Sequence, residues 1–450
     1  MKSFKKSASL SVVSLSWPIF IEIFLQMLIG NIDQFMMSHY SQEAVAAVAN
    51  ANQVMNIFIM LIIVMSTAST ILIAQYLGAK NPDKINEVTT VSIAFNFVFS
   101  SCAAAFILVA HRTLFQWLGV PAEIMDDTSL YMTIVACSIP ITGIYTAFVA
   151  TFRGFSLPII TMCVAFVMNV IHILSNVVLI YGWGPIPSLG VFGVSVSTAV
   201  SKAIGLLLIY YLFRTQLSIK LSWSYLKPFP KETLKRLLHI GVPSGGETLS
   251  YQLSQTTIMK MVNIFGIIVI NTKVYAYIIS MFCYMYTIAL ANAAQIIVGF
   301  LVGAKREDEI SARVWHTMWL GMAISVGLST TFYLLSDYIF AFFTTDPEII
   351  SLGKTILFIE IFLEIGRTVN IIMVQCLQAA GDIRTPMIVG IFGMWLCAVN
   401  LSYILGIWLG WGLIGIWIAM AIDEGARAII FVWRWHSGKW KNRKLIEEPA

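Results

Sequence analysis

Residues 14–38, SLSWPIFIEIFLQMLIGNIDQFMMS, are an apolar run broken by Pro18 and by the polar side chains of Glu22, Gln26 and Asp33. A hydrocarbon core about 30 Å thick takes about 20 residues of helix, so the run is long enough to cross it. It is too long for a signal-peptide core and lacks a small-residue cleavage site, so it reads as a first transmembrane span. At about 100° per residue, Gln26 lies about 40° and Asp33 about 20° around the helix from Glu22. The three make one polar stripe rising about 16 Å, with Pro18 placed to kink or hinge its start.

Eleven further runs of this kind follow. The first six spans lie near 14–38, 46–77, 88–110, 128–151, 157–182 and 190–213, and the second six near 237–265, 270–302, 313–336, 350–379, 385–408 and 411–433. Hydrophobic residues are 58% of the 450 and charged residues 11%, against roughly 25% charged in soluble domains. The solvent of such a surface is lipid. The net charge of +5 does not mark a nucleic-acid binder, because the basic residues sit in short gaps between spans instead of on one face. With the N-terminus inside, Lys2, Lys5, Lys6, Lys80, Lys84, Arg153, the 214–236 segment, Lys305, Arg306, Arg313, Arg384 and the tail from Arg434 to Lys444 are cytoplasmic. Only Arg112, Lys273 and Lys354 fall outside. That bias orients the chain in a cell membrane with both termini cytoplasmic. The six cysteines all fall in apolar segments without metal or disulfide spacing, and are expected as small buried thiols.

The chain also repeats itself. At an offset of 225 positions Pro18 meets Pro243, Glu22 meets Glu247, Gly78-Ala79-Lys80 meets Gly303-Ala304-Lys305, and Asp83 meets Asp308. Pro158 matches Pro386, and Gly190 through Gly193 resembles Gly412 through Gly415, at nearby offsets. The expected fold is therefore an all-α integral membrane protein with twelve transmembrane helices as two parallel six-helix repeats. Its parts are an N-terminal lobe, 1–213, a cytoplasmic linker, 214–236, a C-terminal lobe, 237–434, and a basic tail, 435–450. Parallel repeats about an axis along the membrane normal are a plan of secondary transporters, with substrate between the halves near the midplane.

Ionisable groups at membrane depth are costly and are functional candidates by default. Asp33 is the candidate proton- or cation-binding carboxylate, since burial disfavours the charged form of a carboxyl and brings proton exchange within range. Asn169, His172 and Asn176 share a face of the fifth span; His172 is either a satisfied core residue or a proton binder beside a polar cavity. In the seventh span Glu247, Tyr251, Ser254 and Gln255 repeat the first span's stripe, but Ile258 stands where Asp33 does. Glu247 either lines the cavity or anchors packing. In the tenth span Glu360, Glu364 and Arg367 line up with Gln375, and Glu364 and Arg367 are expected to pair, structurally or as a switch. Lys202, Lys260, Asp423, Glu424 and Arg427 also lie in or near spans, and a carboxylate is the natural partner for Lys260. Tyr275, Tyr277, Met281, Phe282, Tyr284, Met285 and Tyr286 of the eighth span would suit organic cations, or simply face lipid and neighbours. No Walker loop, H-E-x-x-H or G-x-S-x-G pattern occurs, so the reading is a transporter, not an enzyme, without a metal or cofactor and powered by an ion gradient.

Ile32-Asp33-Gln34-Phe35-Met36-Met37-Ser38 with Ala44-Val45-Ala46-Ala47-Val48-Ala49 resembles the multidrug and toxic compound extrusion (MATE) family. So do Gln75-Tyr76-Leu77-Gly78-Ala79-Lys80, Leu189-Gly190-Val191-Phe192-Gly193 through Thr198, and Leu377-Gln378-Ala379-Ala380-Gly381-Asp382. The resemblance covers nearly the whole chain. It implies a V-shaped, two-lobe exporter of amphipathic, often cationic compounds, driven by proton or sodium antiport and working as a monomer. Asp33 matches the family's key carboxylate, and His172, Asn176 and Thr198 fall around its N-terminal cation site. His172 departs from the usual Asn, and Arg367 stands where sodium-driven members of one branch carry Asp. Glu247 precedes that branch's Glu by about one turn. The resemblance so qualified implies proton coupling through Asp33, with sodium as the other possible ion. Glu22, Gln26, Glu247, Tyr251, Gln255, Glu364 and Arg367 are the candidate substrate or gating residues. A lipid-linked saccharide or lipid flippase of the same superfamily is the rival reading, and an integral-membrane enzyme or a channel is a more distant one.

Overall fold

A computed structural model describes residues 11–443 and 445–446; the basic residues Lys2, Lys5, Lys6 and Lys444 lie outside them. Among the described residues the chain forms fourteen α-helices and no sheet, only one isolated bridge between Trp183 and Ile186. The first seven are α1 (Val12–Ser38), α2 (Gln42–Gly78), α3 (Pro82–Trp117), α4 (Met125–Cys137), α5 (Ile139–Gly154), α6 (Pro158–Tyr181) and α7 (Gly190–Gln216). The rest are α8 (Lys231–Val262), α9 (Ile267–Gly303), α10 (Glu307–Leu334), α11 (Ser336–Phe343), α12 (Pro347–Ala379), α13 (Arg384–Phe392) and α14 (Gly412–His436). Two π-helical turns, Gly393–Val399 and Ser402–Trp408, prolong α13.

The twelve-span plan accommodates this order, with two differences. The fourth span, expected as one helix over 128–151, is broken between α4 and α5 with a bend of 45°. Pro140 cannot donate a backbone bond and crowds the preceding turn, and the Ser138 hydroxyl turns back onto the Val135 carbonyl at 2.7 Å. Secondly, among the described residues eight helices are long and apolar enough to cross a bilayer, or nine counting the bent pair as one. The remaining long helices, α8, α12 and α14, carry charged side chains instead, including Glu247, Glu360, Glu364, Arg367, Asp423, Glu424 and Arg427.

The repeat is visible in the backbone. The end of α2 closes with the amides of Ala79, Lys80 and Asn81 on the carbonyls of Gln75, Leu77 and Tyr76. The end of α9 closes with Ala304, Lys305 and Arg306 on Phe300, Val302 and Leu301. Lys80 and Lys305 both adopt left-handed backbone, φ 55° and 58°. Ser156 after α5 and Gly381 after α12 form another such pair, φ 59° and 98°. Gly193 and Gly415 sit in the first turns of α7 and α14, where an added Cβ would strike the carbonyls of Leu179 and Leu405. Those glycines allow each helix to start against the end of its predecessor.

Contacts within the chain gather into two units, one running from Ile21 to Gly241 and the other combining the chain up to Phe20 with everything from Val242 on. Both divisions fall inside a helix, α1 and α8, close to Pro18 and Pro243. In the first unit α2, α4 and α7 enclose a core of Met37, Ala47, Ala51, Met55, Met132, Ala136 and Val194. In the second, α8, α12 and α14 enclose Ile258, Ile356, Leu363, Ile416 and Trp417. The cysteines correct an expectation. Cys283 and Cys376 are buried, but Cys102, Cys137 and Cys163 are exposed and Cys397 is half-buried. Where lipid is the solvent, an apolar side chain gains no inward preference from being apolar.

Candidate functional site

The first unit folds its polar groups around Asp33. Near the end of α1 its side chain is buried, and its Oδ1 lies 2.7 Å from His172 Nε2 and accepts from Asn176 Nδ2 at 2.6 Å. His172 and Asn176 are one turn apart on α6, so their ring and amide meet the same oxygen. The other ring nitrogen, Nδ1, lies 3.2 Å from Ser201 Oγ on α7. Ser197 Oγ, also on α7, donates to the His172 carbonyl at 3.0 Å. The hydroxyl of Ser201 is itself 3.0 Å from the Thr198 carbonyl.

Two protonation states fit these atoms. If Ser201 donates to Thr198, then Nδ1 donates to Ser201, and the pair is an imidazolium beside a carboxylate or, with the same protons, a neutral ring accepting from a protonated Asp33. If Ser201 turns its hydrogen to Nδ1, the ring is neutral and still donates to Asp33. One proton separates the two, with every heavy atom in place.

Thr198 belongs to the same neighbourhood but not to the carboxylate. Its hydroxyl donates to Val194 O at 2.9 Å and meets Tyr131, whose own hydroxyl donates to Asn52 at 3.1 Å. Lys202, next to Ser201 on α7, is half-buried, lies within electrostatic reach of Asp33 and forms no ion pair among the described residues. Asn169 is buried with both amide atoms unpartnered, as is the Oδ1 of Asn176.

The α1 stripe does not stay together. Glu22 is buried and pairs with Arg153 at 2.9 Å, and Thr161 Oγ1 donates to it at 2.8 Å. The sequence placed Arg153 in a loop, but it lies in the last turn of α5. Gln26, between the two carboxylates, is exposed. Three residues on one helix face thus meet three different surroundings.

In the second unit the charges form two clusters, one around Arg367 and one around Arg427. Arg367 Nη1 donates to Glu360 Oε1 at 2.6 Å and to Glu364, as the spacing predicted for the latter, and its guanidinium lies 4.9 Å from the centre of the Tyr284 ring. Trp417 Nε1 donates to the other Glu360 oxygen at 2.6 Å, and Ser325 donates to Glu364. On α14, Arg427 holds Asp423 at 2.6 Å and Glu424 at 2.9 Å, while Asn370 donates to the Glu424 carbonyl at 2.9 Å. Four carboxylates share two guanidiniums, and Asp423 Oδ1 is buried without a partner.

Glu247 is half-buried beside Gly390. Tyr251 lies within electrostatic reach of Arg367, Glu424 and Arg427, and Gln255 is half-buried on the same helix. Lys260 is exposed and, against expectation, pairs with no carboxylate among the described residues; an exposed lysine keeps its water and needs no partner. The aromatic set of α9 points several ways. Tyr275 stacks on Phe343, Tyr286 packs on Phe20, and Tyr277 and Phe282 are exposed. Sequence reasoning missed Ser201, Tyr131, Ser325 and Trp417, whose residue types are ordinary in membrane helices.

A protein-family model described as MatE matches residues 18–178 and again 243–404. The chain belongs to the MatE family. The two matches open on Pro18 and Pro243, the same pair with which the internal repeat begins. Across 96% of this chain and 94% of its own length, a Bacillus subtilis protein described as the uncharacterized transporter YisQ is 35% identical. A Thermotoga maritima protein described as the probable multidrug resistance protein NorM is 24% identical over 97% of this chain and 94% of its own. Among solved structures, a MATE protein in a bent conformation superposes with a TM-score of 0.90 at 20% identity, covering 98% of each chain. A Pyrococcus furiosus transporter of the MOP superfamily, titled for the reverse polarity of its binding pocket, gives 0.87 at 20% identity over 96% of each. As a MatE protein the chain is a multi-pass membrane transporter, not an enzyme, and its relatives include proteins described as probable multidrug resistance proteins.

Proposed function

We propose that this MatE protein exports amphipathic, cationic organic compounds in exchange for protons, and that Asp33 with His172 is where the proton binds. The observation that carries the reading is the Asp33–His172–Ser201 chain, in which one proton can be added or removed without moving a heavy atom. Without it, Asp33, neutral His172 and Lys202 sum to zero charge; with it they sum to plus one. Proton uptake then repels a cationic substrate bound within electrostatic reach and favours its release, which is the differential binding that antiport requires. Asn176 holds the carboxylate in place, and Thr198 with Tyr131 lines its neighbourhood. Asp33 Oδ1 already takes N–H groups from His172 and Asn176, so a sodium ion in its place would have to use the other carboxylate oxygen and the unpartnered Asn176 Oδ1.

The bias of basic residues supports a cell-membrane protein with both termini cytoplasmic. Its lobes are residues 1–213 and 237–434, joined by the linker 214–236 and followed by the basic tail 435–450, and it works as a monomer. Glu22, Gln26, Glu247, Tyr251, Gln255, Glu364 and Arg367 are assigned to substrate contact or gating.

The deciding measurement is dye flux in vesicles containing the purified protein. An imposed pH gradient in sodium-free buffer is expected to drive flux across a panel of cationic dyes. A strict requirement for sodium would overturn proton coupling, and flux of lipid-linked saccharide without dye flux would favour the flippase.

A further inference from the structure

An open cavity of about 330 Å³ lies in the first unit, between α3, α5 and the segment that joins α7 to α8. Thr90, Ile93, Ala94 and Phe97 form its floor at helical spacing along α3, Ile144 of α5 forms one side, and Leu221, Ser222 and Leu226 of the joining segment cover it. The joining segment is fixed there. Asn86 on α3 accepts from the Lys220 amide at 3.1 Å and donates to the Tyr225 hydroxyl at 3.3 Å, and Thr233 at the start of α8 donates to Glu87.

The chemistry of the lining is one-sided. Thr90 spends its hydroxyl hydrogen on the Asn86 carbonyl at 2.8 Å, and the Ser222 hydroxyl is engaged by Ser224, 2.8 Å from its hydroxyl and accepting its amide at 3.2 Å. The groove therefore selects an apolar chain. Its floor lies at the start of the span read at 88–110 and its cover in the linker read as cytoplasmic, which puts it at the cytoplasmic edge of that span. Directly beside its cover stand Lys220 and Lys227, both exposed and neither in an ion pair among the described residues. An apolar slot whose cover is flanked in the chain by two exposed lysines without ion-pair partners among the described residues is complementary to one class of molecule.

We infer that this groove binds one acyl chain of an anionic phospholipid, whose phosphate is held by Lys220 and Lys227. Such a lipid would pin the joining segment to α3. The Asp33 site takes no part in the inference, which stands or falls independently of proton coupling.

The test uses the full-length protein, purified and delipidated in detergent, with native mass spectrometry against phosphatidylglycerol and phosphatidylcholine of the same acyl chains. One phosphatidylglycerol is expected to bind with about thirtyfold preference, the order expected of two lysines at a membrane surface. Lys220→Gln with Lys227→Gln, an exposed double change that leaves the core untouched, should abolish the preference. Ala94→Trp, which fills the groove, should weaken the first phosphatidylglycerol by about tenfold while dye efflux shows that the protein is folded; should that variant fail to fold, the lysine pair decides alone. Equal binding of the two lipids by the unmodified protein would overturn the inference. So would an undiminished preference in the lysine variant, and so would a cationic dye that displaces the bound phosphatidylglycerol one for one, which would make the groove a substrate site.

Discussion

Asp33 in one unit and Glu360 and Glu364 in the other are buried alike, at 5%, 1% and 0% exposure, yet they are held by different chemistry. The partners of Asp33 are an imidazole and an amide, one able to change its charge and the other without charge. Glu360 and Glu364 share a guanidinium, which stays charged at any pH a cell meets, and their other partners, Trp417 and Ser325, are neutral. The difference teaches where a proton can act as a ligand. On the proposed reading a proton bound at the Asp33–His172 pair comes and goes with each cycle. Around Arg367 the cation is covalently part of the protein, and it cannot leave with each cycle.

Four experiments would break or sharpen that contrast. The largest effect is expected from Asp33→Asn, which should reduce dye efflux to the level of cells lacking the transporter while changing thermal stability by less than about 1 kcal/mol; full resistance in cells expressing it would remove Asp33 from the mechanism. Arg367→Met should do the opposite at the level of folding. Leaving buried carboxylates without their cation costs about 3–5 kcal/mol, which melting in detergent would register, and an unchanged melting temperature would show that the Arg367 cluster does not hold the unit together. Next comes His172→Gln, which keeps a donor for Asp33 but cannot take up a proton. Flux in vesicles should fall about tenfold, the worth of one charge-assisted hydrogen bond, and should lose most of its response to pH; a retained pH response would move the proton elsewhere. The smallest change is expected from Glu424→Gln, within about 1 kcal/mol, because carboxylates outnumber guanidiniums in the Arg427 cluster and one fewer negative charge is tolerated; loss of efflux in this variant would mean that the second unit also titrates during transport.

Much of the candidate site was legible because membranes make polar residues conspicuous. Asp33, His172 and Asn176 stood out as polar groups inside apolar runs, and their helical spacing already put the latter two on one face. Glu364 with Arg367 was legible from spacing alone. Ser201 was not, since a serine in a helix rich in small residues has the same appearance whether it packs or bonds. Arg153 was misread as a loop residue because α5 continues one turn past the apolar run, and the sequence offered no means of linking it to Glu22.

By itself the sequence determined the solvent of this protein, the number and order of its spans, and the duplication that begins at Pro18 and Pro243. These follow from composition and from offsets along one chain, which need no knowledge of what touches what. Only the tertiary structure decided that the α1 stripe divides, with Glu22 going to Arg153, Asp33 to His172 and Gln26 to the surface. It alone decided that Arg367 serves two carboxylates, that α4 and α5 meet at a bend, and that the 214–236 segment covers a groove on α3. Helical periodicity fixes direction around one axis, whereas the identity of a partner depends on which other helix packs at that height.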